Sequence, residues 1–140
     1  MARFLVFALP LLLVAMALFG FVTDQFGLEP RTAALGPLGL ERAAPPPAAL
    51  TLATWGIEAL ALAALFLLLQ GRGGAWWIDG LLTGALAWVF RGPLLVATIA
   101  LLSRLPRQPF VEFARLALVL DLACGLLLAG LARAMRLERG

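Results

Sequence analysis

The sequence has no histidine, no tyrosine and a single cysteine, Cys124, in 140 residues. Lysine is missing as well, and the one serine is Ser103. These absences exclude several classes of chemistry. Without histidine there is no histidine-ligated haem, no His-based zinc site, and no Ser-His or Cys-His nucleophile. A lone cysteine closes no internal disulfide, and Cys124 lies inside an apolar block where a small packing residue is expected. Carboxylates alone can support catalysis only where several converge on a polar, water-reachable site, and the spacing of the acids predicts no such cluster. No enzyme activity, cofactor or metal is therefore expected.

Charge is scarce too, at 14% of residues. All eleven basic residues are arginines scattered along the chain, so the formal charge of +3 forms no stripe for nucleic acid. Abundant Ala, Leu, Gly and Arg with no Lys is the mark of a GC-rich coding sequence and says little about mechanism. Since no strand pattern is present, no phosphate-binding loop following a strand can be assembled.

What the chain does have is apolar residues, 63% of the total, with a mean hydropathy of +1.00. They are gathered into blocks long enough for a helix to cross the ~30 Å of hydrocarbon in a bilayer. Lipid offers backbone groups no hydrogen bonds, so each block must satisfy its own as a helix. Blocks this long do not fit the roughly ten-residue alternating segments of a membrane barrel. The fold class is all-α, a polytopic four-transmembrane-helix bundle forming a single transmembrane domain over 1–140.

The expected helices span about 4–22, 48–70, 75–103 and 110–132, with an extramembrane loop at about 23–47. The first block begins like a secretory leader, with a cleavage pattern at Ala15-Met16-Ala17. Leu18 to Val22 remain apolar, however, where a mature chain turns polar, so an uncleaved helix kinked at Pro10 is expected. The loop holds a short echo, Gly27-Leu28-Glu29 and Gly39-Leu40-Glu41, and ends in the stiff run Pro45-Pro46-Pro47. The connection Gly71-Arg72-Gly73-Gly74 is long enough only to reverse the chain. Trp76 and Trp77, and later Phe110 and Phe113, stand where aromatic side chains mark a membrane boundary.

The third block would be ~43 Å long as a straight helix, too long for one span and too short for two. It is interrupted by Arg91-Gly92-Pro93. Pro93 cannot donate to the carbonyl four residues back and Gly92 weakens the same turn, so the helix is expected to kink there or to split into two halves.

Counted from the block ends, Glu58, Arg91 and Asp121 fall near one depth in three different helices, and a further acid, Asp79, nearer an interface, is expected to belong to the same intramembrane charge network. Ionised groups at that depth cost several kcal/mol facing lipid, roughly 2.5–3.5 on insertion scales, so they are expected to turn inward and pair. Each lies on a small or polar stripe of its helix. Gly80, Gly84, Ala87 and Arg91 form one stripe, and Gly80 and Gly84 make a GxxxG pair suited to close helix approach. Ala114, Asp121, Gly125 and Ala132 form the second, and Thr51, Thr54, Glu58 and Ala61 the third. If these stripes meet, the planar fork of Arg91 can bridge Glu58 and Asp121. Arg91 also has a competing course, in which its long side chain reaches the far interface.

Two readings of these charges stay open. In one, they are a structural network in an accessory or scaffolding subunit of a larger membrane complex. In the other, two carboxylates against one guanidinium leave a negative charge for a small oligomeric proton- or cation-coupled transporter using midplane carboxylates. A further variant takes the missing counter-charge from another membrane protein or a second copy. Arginine placement sets orientation: Arg3, Arg72, Arg133, Arg136 and Arg139 fall on one side, against Arg31, Arg42, Arg104 and Arg107. The cluster after the last helix places both termini in the cytoplasm, and a helical bundle points to a bacterial inner membrane.

Overall fold

The computed structural model describes residues 2–26, 47–70, 75–102, 104 and 107–137. Among these the chain is all-helical: α1 (Ala2–Gln25), α2 (Ala48–Leu69), α3 (Trp76–Arg91), α4 (Pro93–Leu102) and α5 (Gln108–Leu137). The Gly-Leu-Glu echo, Pro45 and Pro46, the 71–74 connection, Ser103 and Arg139 lie outside the described residues. Four helices are long and apolar enough to cross a membrane, Arg3–Gln25, Ala48–Leu69, Trp76–Leu102 and Phe110–Met135. The third of these is α3 and α4 taken together.

Two helices run beyond their expected limits. α1 continues through Pro10, which stands on its exposed side, and past Val22 to Gln25. There the Thr23 hydroxyl donates to the carbonyls of Phe19 and Gly20 at 3.0 and 2.9 Å, which satisfies the hydroxyl within the helix. α5 extends to Leu137 because its last residues, Ala132 to Leu137, are all good helix formers whether or not they are apolar.

The third block splits. α3 ends at Arg91, the Gly92 N–H closes on the Trp88 carbonyl at 2.7 Å, and α4 starts at Pro93. Proline has no N–H to donate and its φ suits a first helical turn, so the residue that ends one helix opens the next. None of the residues of α4 is buried.

α5 is the centre of the bundle and touches all four other helices, whereas α1 meets only α2 and α5. α1 packs through Phe4, Ala8, Leu12 and Met16, spaced one turn apart and all buried. Their partners include Leu62 and Phe66 of α2 and Leu120, Cys124 and Leu128 of α5. The Phe4 and Phe66 rings stack with centroids 5.7 Å apart. Arg133 near the end of α5 lies over the Trp76 ring at the start of α3, 5.3 Å from its centroid. The start of α1, the end of α2, the start of α3 and the end of α5 thus share one end of an up-and-down bundle.

The closest approach is between α3 and α5. A Cβ at Gly84 would strike the Asp121 carbonyl, one at Gly125 would strike the Gly80 carbonyl, and one at Gly80 would lie 2.9 Å from Ala129 Cβ. Two of these obstacles are backbone atoms, which no rotamer change relieves, so glycine is what allows the two helices to touch. By contrast, Gly56 and Gly130 face open space. Gly125→Ala should therefore destabilise by roughly 1–3 kcal/mol through overpacking. Gly130→Ala should be neutral or stabilising by up to ~1 kcal/mol from helix propensity. Unfolding titrations in detergent micelles check this contrast, which an equal response of the two variants would contradict.

Candidate functional site

The close approach of α3 and α5 fixes the candidate site. With Gly84 resting on the Asp121 backbone, Asp121 is carried into the bundle and is 1% exposed. Arg91 lies two turns further along α3. Helical side chains lean toward the N-terminus of their own helix, and Arg91 leans back this way to reach Asp121. Its Nη1 donates to Asp121 Oδ1 at 3.3 Å, and its Nη2 lies 3.1 Å from Glu58 Oε2 on α2. One guanidinium therefore joins three helices, with one nitrogen given to each acid. The course toward the far interface is not taken.

The cluster is graded in burial, with side-chain exposures of 25% for Arg91, 30% for Glu58 and 1% for Asp121. Its hydrogen bonding is incomplete. Glu58 Oε2 is close enough for an ion pair but receives no aligned hydrogen bond, and Asp121 Oδ2 is buried with no hydrogen-bond partner. Phe113 on α5 completes the surroundings, its ring centroid 5.8 Å from Arg91 Cζ, within cation–π range. The sequence had suggested an interfacial anchor at Phe113, a role that gives no hint of this contact.

The Trp88 indole is a second tie that sequence reasoning missed. It donates to the Ala114 carbonyl at 2.7 Å, bridging α3 to α5 one turn before the break. A Cβ at Gly92 would come within 2.9 Å of that indole nitrogen and 3.1 Å of Ala114 Cβ. Gly92 is thus required for helix approach as well as for the break. Tryptophan opposite a small residue at a helix interruption was the available sequence signal.

The expected stripes fare differently. Gly80, Gly84, Asp121, Gly125, Ala114 and Ala132 are buried, and Ala87 packs against the core. The stripe on α2 does not pack. Ala61 and Thr54 are exposed, Thr54 satisfies its hydroxyl on the Leu50 carbonyl at 2.9 Å, and the buried side of α2 is Ala59, Leu62, Ala63, Phe66 and Leu69. That buried side mixes Ala59 and Ala63 with Leu62, Phe66 and Leu69, and the Glu58 side lines a cavity. That cavity, of about 290 Å³, is bounded by Glu58, Ala61, Leu62, Leu65, Ala87, Phe90, Arg91 and Asp121.

Asp79 stands apart from the cluster. It is buried in the first turn of α3, where a carboxylate suits the positive end of the helix dipole. Twelve residues separate it from Arg91, ~18 Å along the helix axis. Glu112 and Arg115 pair at 3.1 Å on the surface, a contact of little energetic weight.

No protein-family model matches the chain, and neither a curated protein nor a solved structure matches it. The class that fold and site define is, among the described residues, an all-helical protein with four candidate membrane-spanning helices and an ion cluster between three of them.

Removing Arg91 would leave Asp121 as a buried charge with no counter-ion. Arg91→Leu should destabilise by ~3–5 kcal/mol, whereas replacing Arg91, Glu58 and Asp121 together by leucine should recover most of that loss. Thermal unfolding in detergent of the single and triple variants checks the sign. A triple variant less stable than Arg91→Leu would contradict it.

Proposed function

We propose that the chain is a multi-pass protein of a bacterial inner membrane, with both termini in the cytoplasm, that serves as an accessory or scaffolding subunit of a larger membrane complex. The observation that carries this reading is the use made of the intramembrane charges. Arg91 is engaged by Glu58 and Asp121 together, so the ionic groups at depth hold α2, α3 and α5 in register. Lipid supplies no hydrophobic drive between helices, and polar contacts of this kind are one of the means by which a bundle is specified. The rest of the chain fits the role. It lacks the residues of histidine-based catalysis, and α4 leaves Leu94, Leu95, Leu101 and Leu102 exposed.

The cavity beside the cluster favours a second reading, a small oligomeric proton- or cation-coupled transporter using the midplane carboxylates. The break at Gly92, close to the cluster, is the kind of helix interruption on which transporter sites are built.

Purification from native membranes in mild detergent should bring down a second membrane protein in stoichiometric amount, and Arg91→Leu should lose that partner. Recovery of the chain alone, together with proton or cation flux in proteoliposomes that Glu58→Gln abolishes, would replace the subunit reading by transport.

A further inference from the structure

We propose that the cavity between α2, α3 and α5 is a binding site for an organic monocation with an apolar body. Volume, charge and entry each narrow the ligand. At about 290 Å³ the cavity is far larger than one water or a bare ion requires, since a water occupies ~30 Å³ of liquid. Its wall of Ala61, Leu62, Leu65, Ala87 and Phe90 is apolar and offers a polar ligand nothing, so most of the occupant is hydrocarbon.

Its charged end is Glu58, Arg91 and Asp121, two carboxylates and one guanidinium. Both guanidinium terminal nitrogens are engaged by the acids, which leaves the end one negative charge in excess. Asp121 is almost wholly buried and its Oδ2 has no hydrogen-bond partner. An uncompensated anionic oxygen in such surroundings is costly, and a single positive charge brought up to the pair of carboxylates relieves it. An anion would meet the excess negative charge, and a neutral ligand would leave that charge uncompensated.

Entry favours the same class. Ala61 and Phe90 at the cavity are exposed, on the apolar flank of the bundle rather than at either end. A ligand arriving there passes through the hydrocarbon, which a lipophilic cation can do and a hydrated inorganic ion cannot.

The test is calorimetric titration of the purified full-length protein in detergent micelles with benzyltrimethylammonium, against neopentylbenzene, its uncharged isostere. Saturable binding of one cation per chain is expected, with the isostere at least ~10-fold weaker, ~1.4 kcal/mol. Glu58→Gln should weaken the cation by a similar factor. Ala61→Phe should weaken binding at least ~10-fold, because the added ring occupies part of the cavity and narrows its exposed side while leaving every charge in place. Ala61 is exposed, so this variant keeps the fold and the test stands even if Glu58→Gln does not fold. Equal binding of the isostere, unchanged binding in Ala61→Phe, or displacement of the ligand by millimolar sodium would overturn the proposal. The titration needs no partner protein, so its outcome is independent of the co-purification experiment.

Discussion

One guanidinium shared by two acids on two other helices is the constraint on which the rest of this structure depends. Arg91 stays charged under all ordinary conditions, so within a bilayer it must find counter-charge or reach an interface. Glu58 and Asp121 supply the first alternative. To do so, α3 must come close enough to α5 for a side chain that leans back two turns to meet Asp121. Gly80, Gly84 and Gly125 provide that distance by removing the Cβ atoms that would strike the facing backbone. The glycines and the ions are therefore one device, in which close packing places the acid and the ion pair restrains the helices in turn.

The break after Arg91 belongs to the same device. A third span running straight from Trp76 to Leu102 would carry its C-terminal half in the direction of α3. With α3 ended at Arg91, the second half is a separate helix, α4, with no buried residue. The Trp88 indole on the Ala114 carbonyl holds the last turn of α3 against α5 at the point where the chain leaves it. The arginine is thus presented from a fixed helix end beside the break, which is also where the cavity lies.

Much of this could be read in the sequence, because long apolar runs and a few isolated charges are strong signals. Apolar runs of spanning length gave four helices, and Gly92-Pro93 gave the break. The same-face spacing of Gly80, Gly84 and Arg91, set beside Asp121 and Gly125, gave the α3 and α5 contact. What stayed hidden depends on directions that spacing does not contain. The lean of Arg91 along its helix, the reach of Trp88 to a backbone carbonyl and the position of Phe113 under the guanidinium are side-chain geometries. The α2 stripe misled because small and polar residues mark either a packing face or a cavity wall, and Thr51, Thr54, Glu58 and Ala61 are compatible with both. Asp79 was grouped with the cluster by charge alone, although helix rise carries it three turns away. The stripe Phe4, Ala8, Leu12 and Met16 was lost in a helix that is apolar on every side.

The central claim is that the Arg91 guanidinium sits between Glu58 and Asp121 when the protein is in lipid. Solid-state NMR on bilayer-reconstituted protein, with 15N in arginine and 13C in the aspartate and glutamate carboxylates, measures it directly. Nitrogen-to-oxygen separations of 3.1 and 3.3 Å predict strong dipolar dephasing of the Glu58 and Asp121 carboxyl carbons by the same guanidinium. Full dephasing of one with none of the other, or of neither, would show that the arginine does not tie the three helices together.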